Sequence, residues 1–231
     1  MTEGSRTIRT GGSWRRAWDH IAHPRRRGHG VRLVVAVVLL VISALPISRS
    51  FVPRWEKDIF ESINGLPEWL NTPLQVVMQL GNLIAVPLVA LAGLLVWRRW
   101  RVAFDLAVSG AVAWFLARIL KSNFGRGRPG ELLQDVILRD APADGLGFVS
   151  GHTAVAAALA TVAAAYLGLR GTIVVVIAAA LVGFSRIYVG AHLPLDVIGG
   201  ATMGWALGSL IHFFVLPELT GMDPDELAPA E

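Results

Sequence analysis

The chain has 231 residues, 54% of them hydrophobic and 16% charged, with a formal net charge of +4. Soluble domains carry about 25% charged residues, so an ordinary water-soluble globule is excluded, and with no cysteine in the sequence disulfide and thiolate chemistry are excluded too. The basic surplus gathers at one end of the chain, which argues against nucleic-acid binding.

In chain order, residues 1–30 form a basic tail with Arg6, Arg9, Arg15, Arg16, Arg25, Arg26 and Arg27. It is expected to be disordered or laid on a membrane, serving first as a topology signal and secondarily as a contact for anionic headgroups. Six apolar stretches follow: Leu33–Ile47, Leu74–Trp97, Phe104–Leu120, Thr153–Leu169, Thr172–Val189 and Leu195–Leu216. Each approaches the roughly 17–25 residues that cross a bilayer as a helix. The first lacks a cleavage site and sits behind a long polar segment, so it reads as a retained helix, not a signal peptide. Between the first two, Trp55, Ile59, Phe60, Ile63, Leu66 and Trp69 recur at near-helical spacing among Glu56, Lys57, Asp58 and Glu61. That pattern suits an amphipathic segment at the membrane interface. Residues 218–231 form an acidic, solvated tail.

The fold class read from this pattern is all-α: an integral membrane bundle of six transmembrane helices over residues 31–217. Arg98, Arg99, Arg101 and Arg170 fall on the same side as the basic tail, which the positive-inside rule makes cytoplasmic. Both termini are then cytoplasmic, in a multi-pass protein of the cell membrane. Gly200, Gly204 and Gly208 repeat every four residues in the last stretch, and the fourth is nearly a run of alanine. Both features allow close approach of helix backbones.

Three polar clusters then fall at the outer ends of these helices. The first is Lys121-Ser-Asn-Phe-Gly-Arg126-Gly-Arg128-Pro129. The second is Val149-Ser150-Gly151-His152. The third is Ser185-Arg186, five residues, then His192-Leu-Pro-Leu-Asp196. Taken singly, a basic cluster is usually an interfacial anchor, Ser-Gly-His a helix start with serine as cap, and a histidine at a helix end a bonded structural residue. Their shared position at the membrane boundary, where ionisable groups are costly and usually functional, changes that balance. Of the 21 basic residues only Lys57 and Lys121 are lysines, and Lys121 lies in the first cluster.

The set suits phosphoryl transfer. Lys121, Arg128 and Arg186 supply charge for phosphate oxygens, the arginines in forked fashion. The Ser150 hydroxyl and the Gly151 N–H add donors at a helix N-terminus. His192 can act as nucleophile, with Asp196 orienting its ring. His152 can protonate the leaving oxygen and then activate water. A metal site is disfavoured, because three cationic side chains would repel a divalent ion and no carboxylate cluster offsets them.

Together the clusters resemble the signature of the type 2 phosphatidic acid phosphatase (PAP2) superfamily: K-x6-RP, PSGH and SR-x5-H-x3-D. Order and internal spacing agree, and Val149 stands where the family usually has proline. The resemblance implies a helical, metal-independent phosphatase without cofactor, working through a phosphohistidine. It implies His192 as nucleophile, Asp196 as its partner and His152 as general acid, with Lys121, Arg128, Ser150, Gly151 and Arg186 binding phosphate. Arg126 and Arg118 lie close by, outside the core motif positions, and Arg126 is carried as a subsidiary candidate.

The expected partners are the bilayer and a membrane lipid phosphate, hydrolysed on the extracytoplasmic side. Polyprenyl (undecaprenyl-type) diphosphate is the first candidate, then phosphatidic acid and phosphatidylglycerol phosphate. Two other classes share parts of this pattern: vanadium-dependent haloperoxidases, which use the same anion pocket, and lipid-phosphate binding or translocating proteins that have lost hydrolysis. The acidic segment 130–147 reads as a solvated loop, with a charge-screening lid as the alternative.

Overall fold

The computed structural model describes residues 24–47 and 49–220, with side-chain surroundings over residues 30–47 and 49–211. The tails predicted at 1–30 and 218–231 lie outside the described residues up to 23 and from 221 onward. Regular structure among the described residues is helical, apart from one isolated bridge between Gly127 and Leu146.

Helix α1 spans Pro24–Ala44 and α2 spans Arg54–Asn64. A 3-10 turn over Glu68–Leu70 leads into α3, Asn71–Met78, and a second 3-10 turn over Gln79–Gly81 separates α3 from α4, Ala85–Trp97. Then come α5 (Trp100–Phe124), a single helical turn at Pro129–Leu132, α6 (Gly151–Ala164), α7 (Leu169–Tyr188) and α8 (Pro194–Thr220).

Two departures from the predicted stretches matter for the site. The second stretch is not one rod: its two helical parts meet at 73°. The break falls where Asn82 turns extended, and Pro87 is tolerated in the new first turn because its missing N–H would be unpaired there anyway. Gly81 also lies so close to the carbonyl of His152 that a Cβ would collide with it, so the bend is wedged against the start of α6. Second, helix length does not uniformly match a bilayer. Among the described residues, Trp100–Phe124 and Leu169–Tyr188 are long and apolar enough to cross one, and the bent pair adds a third if counted as a single span. Gly30–Ala44 and Gly151–Ala164 are apolar but shorter. At 1.5 Å per residue, the 14 residues of α6 reach about 21 Å, short of the ~30 Å hydrocarbon core.

Helix α6 is the central element. Alanine is the best helix former and leaves room for neighbours: Ala154, Val155, Ala158, Leu159 and Val162 pack with Leu106, Ala113 and Ala117 of α5 and with Met203 of α8. The predicted glycine seam is present. A Cβ at Gly200 or Gly204 would strike the carbonyls of Ser150 and Ala154, and one at Gly208 would lie 2.5 Å from Cβ of Thr161. Only glycine lets α8 come this close, and the approach fixes the N-terminus of α6 beside the N-terminus of α8.

The predicted amphipathic segment has two distinct faces. Trp55, Ile59 and Trp69 are exposed, while Glu56, Phe60 and Asn64 form the buried stripe of α2. Two polar residues thus face inward. Asn64 donates to the carbonyls of Ile137 and Tyr188 and accepts from the Ile137 N–H, so α2 caps the protein beside the site and does more than anchor it.

Candidate active site

Four helix ends and two loops build the site. Helix α5 carries Lys121 in its last turn and is stopped by Gly125, which takes a left-handed conformation (φ 61°) and returns its N–H to the Lys121 carbonyl. This C-terminal stop releases Arg126–Arg128 from the helix. Ser150 and Gly151 begin α6, Arg186 lies in the last turn of α7, and a tight loop delivers His192 just before α8. Asp196 sits in the first turn of α8.

Lys121, Arg128, Gly151, His152, Arg186 and His192 line one cavity of about 560 Å³, with Trp114, Arg118, Gly81 and Leu83 on its other walls. Lys121 Nζ donates to the Leu146 carbonyl at 2.9 Å, and Arg186 Nη1 rests 2.7 Å from the Met78 sulfur. Arg128 Nε and Nη1 and Arg186 Nε are buried nitrogens without a protein partner. Buried N–H groups are nearly always satisfied in folded proteins, so forked donors left open along a cavity mark an anion-binding wall. Burial pulls the Arg128 pKa down from its ordinary value, against the attraction of Asp196, Asp144 and Glu131.

Ser150 is fully buried and makes no side-chain cap. Its Oγ accepts the Thr153 hydroxyl at 3.0 Å, and its N–H donates to the Asp196 carbonyl at 2.8 Å. The capping role a serine usually has at a helix start is therefore not the one it takes.

His192 is 2% exposed. Its Nδ1 lies 3.5 Å from Asp196 Oδ2, longer than a good hydrogen bond. Burial first, and then Lys121, Arg186 and Arg128, hold its pKa well below the ordinary histidine value. A neutral imidazole with a free lone pair is the nucleophilic form.

Behind His192 lies a network that motif spacing did not reveal. Asp196 Oδ2 accepts the Leu193 N–H at 3.0 Å, and Oδ1 accepts Arg126 Nη1 at 2.9 Å. Arg126 also grips Glu56 through two bonds, of 3.1 and 2.6 Å, and Glu56 accepts the Leu195 N–H at 3.0 Å. Arg126, Glu56 and Asp196 have no exposed side-chain surface. Burial works against the Arg126 charge, but Glu56 and Asp196 more than offset it and raise its pKa. Arg126 is thus not among the cavity-lining residues; it sits behind Asp196. Glu56 comes from α2, 70 positions earlier, and no local signal marks it.

The 130–147 segment is tied down by Arg139, another residue the sequence did not single out. Arg139 donates to the carbonyls of Asn64, Tyr188 and Leu66, pairs with Glu68 at 2.9 Å and stacks 4.1 Å over the Tyr188 ring.

The PAP2 superfamily model matches residues 102–218, which contain all three clusters. The chain is 33% identical over 142 residues to an undecaprenyl-diphosphatase of Sulfolobus acidocaldarius, a match that covers 59% of this chain and 64% of the relative, just under two thirds of its length. It is 31% identical over 162 residues to phosphatidylglycerophosphatase B of Bacillus subtilis, covering 63% of this chain and 75% of that protein. Among solved structures, Aquifex aeolicus LpxE is similar at a TM-score of 0.62 and 30% identity, covering 71% of this chain and 98% of that one. The PAP2-type phosphatidylglycerolphosphate phosphatase of Bacillus subtilis reaches a TM-score of 0.67 at 23% identity, over 83% of this chain and 99% of that one, a likeness of fold.

Proposed function

The chain belongs to the PAP2 superfamily, and we propose that it is a membrane lipid phosphate phosphatase whose substrate is a polyprenyl (undecaprenyl-type) diphosphate, hydrolysed at the outer leaflet without a metal ion. The observation that carries the reading is the convergence of His192, His152 and three cations on one cavity with open arginine donors.

The steps follow from the groups present. Lys121, Arg128 and Arg186 hold the non-bridging oxygens of the terminal phosphate, with the Gly151 N–H and Ser150 hydroxyl at the helix N-terminus. His192 attacks phosphorus through the ring nitrogen turned away from Asp196, and the bond to the leaving oxygen breaks. Asp196, held by Arg126 and the Leu193 N–H, stabilises the positive charge left on the ring. His152 donates its proton to the leaving oxygen. The incoming phosphate offsets the surrounding cations, which favours a protonated His152 at that moment. His152 then takes a proton from water, the hydroxide attacks the phosphohistidine, and phosphate departs with His192 restored.

Six crossings with both termini in the cytoplasm would set this cavity on the extracytoplasmic side, where a lipid's tails stay in the bilayer. The likeness to an undecaprenyl-diphosphatase supports the diphosphate. A phosphatidylglycerol phosphate is the second reading, favoured by the likeness to phosphatidylglycerophosphatase B of Bacillus subtilis. The test is phosphate release by the purified protein from polyprenyl diphosphate, phosphatidylglycerol phosphate and phosphatidic acid in mixed micelles with chelator present. Turnover with chelator, highest on the diphosphate, is the expected result. Strict dependence on added divalent metal would overturn the mechanism, and preference for another lipid would overturn the substrate.

A further inference from the structure

One arginine of the cavity has no role in the chemistry above. Helix α5 lines the cavity with Trp114, Ala117, Arg118, Lys121 and Ser122, one stripe of a helix surface. Lys121 stands at the catalytic end. Arg118 lies three residues earlier, about 4.5 Å along the axis, on a helix apolar enough to cross a membrane. Its side chain is exposed, its guanidinium sits 4.9 Å over the Trp114 ring, and among the described residues it has no carboxylate within ion-pair distance. A charge on a membrane helix is expensive and usually faces a partner or an aqueous cavity. Stacking on tryptophan steadies the guanidinium plane while leaving its N–H edge free to donate. The cavity therefore has a catalytic end at His192 and a membrane-side end at Arg118.

We propose that Arg118 forms a second anion subsite, which binds a phosphate on the leaving-group side of the scissile one. This rests on the lipid-phosphatase reading of the site. A lipid's tails must leave toward the bilayer, so whatever links them to the terminal phosphate passes Arg118. The terminal phosphate, at about −1.5 to −2 charges, is met by Lys121, Arg128 and Arg186. Those three charges already exceed it, and Asp196 is paired with Arg126, so Arg118 is a further cation of the cavity that the terminal phosphate does not require. Lipids with two phosphates in series use it; phosphatidic acid, with a single phosphate, does not.

Two sources of the second phosphate behave differently. In a diphosphate the leaving group is itself a phosphate, and its charge grows as the P–O bond breaks, so Arg118 acts on kcat as well as on KM. In phosphatidylglycerol phosphate the second group is a phosphodiester separated by glycerol, its charge does not change, and Arg118 acts on KM alone.

The experiment measures kcat and KM for polyprenyl diphosphate, phosphatidylglycerol phosphate and phosphatidic acid in uncharged detergent micelles, using wild type, Arg118→Gln and Arg118→Lys. Wild type should prefer the two-phosphate lipids. Arg118→Gln should lower the ratio of their kcat/KM to that for phosphatidic acid by about 10- to 100-fold, the size of a lost hydrogen bond to a charged group. Arg118→Lys should recover most of it. An equal loss on all three lipids would mark Arg118 as a plain interfacial anchor and overturn the proposal. If Arg118→Gln cannot be purified folded, wild type and Arg118→Lys decide: a wild type that prefers phosphatidic acid overturns it. Failure of wild type to release phosphate from any of the three would instead sink the functional reading beneath it.

Discussion

Arg126 and Arg128 are separated by a single glycine and stand in opposite circumstances. Arg126 is sealed from solvent, with Glu56 gripped through two bonds and Asp196 through one. Arg128 lines the cavity and leaves Nε and Nη1 without a protein partner. The first arginine has both terminal nitrogens bonded to carboxylates, and the second has its donors open along the cavity. A buried charge can be kept only where its counter-charges are fixed, and open donors persist only where something else will satisfy them. The site is thus two layers: a charge-paired ionic brace behind His192, in which Arg126 leaves only Nε without a partner, and a cationic wall with open donors in front of it.

His192 lies between these layers, and removing it tests the whole arrangement. His192→Ala should cut kcat by roughly 10⁴- to 10⁶-fold, as loss of a covalent nucleophile does. Steady-state phosphate release is the assay, and retention of more than a tenth of the rate would exclude a phosphohistidine.

Arg128→Ala opens the front layer. Kinetically, kcat/KM should fall by about 10²- to 10³-fold, the usual loss when one donor to a developing anion is removed. The melting temperature in micelles should hold or rise slightly, since two buried donors without a protein partner, Nε and Nη1, are being deleted. Arg126→Met attacks the rear layer and inverts this pattern. It leaves Glu56 and Asp196 buried without their shared cation, and breaking a buried pair this way costs about 3–5 kcal/mol. A clear drop in melting temperature is expected. Equal stability losses in the two variants would erase the distinction between the layers.

Glu56→Gln is the milder probe of the brace. It keeps the volume and one acceptor for the Leu195 N–H but removes a charge from Arg126, which then draws harder on Asp196. A roughly tenfold fall in kcat with little change in KM is expected, because Glu56 reaches His192 only through Arg126 and Asp196, and hydrogen-bonded groups that orient a functional side chain commonly contribute on that scale. A change confined to KM would place Glu56 on the substrate side instead.

The front layer was largely legible in the sequence because motif spacing is a local property. Lys121, Arg128, Gly151, His152, Arg186 and His192 occupy three short segments, and the fold gathers all of them on one cavity. The glycine seam was legible for the same reason. The brace was not. Its Glu56 comes from α2, where the apolar pattern does not mark an acidic residue as buried: Trp55 and Ile59 are exposed while Glu56 and Asn64 are buried beside Phe60. Spacing set Arg128 apart as the motif position, but it could not show that Arg126 turns away from the cavity toward Glu56 and Asp196, since after Gly125 the chain follows neither a helical nor a strand period. The 73° bend at Gly81 escaped a hydropathy window that averages over both arms, and the shortness of α6 escaped because the residues after Ala164 stay apolar.

The smallest effect is the most informative about how the layers communicate. His192 is held neutral by burial and by the cations of the front wall. A protonated ring has no lone pair with which to attack phosphorus, so lowering its pKa extends activity toward acid. Arg128→Ala removes one of those cations and leaves the burial in place. The His192 pKa should therefore rise part of the way toward its ordinary value. The acid limb of kcat/KM in the variant should then lie at higher pH than in wild type. Measuring both proteins on one lipid cancels the titration of the substrate itself, leaving a variant-to-wild-type ratio that falls as pH drops. A flat ratio would mean that the Arg128 charge is not felt at the nucleophile. The front wall would then bind phosphate without tuning His192, and burial alone would account for the neutral ring.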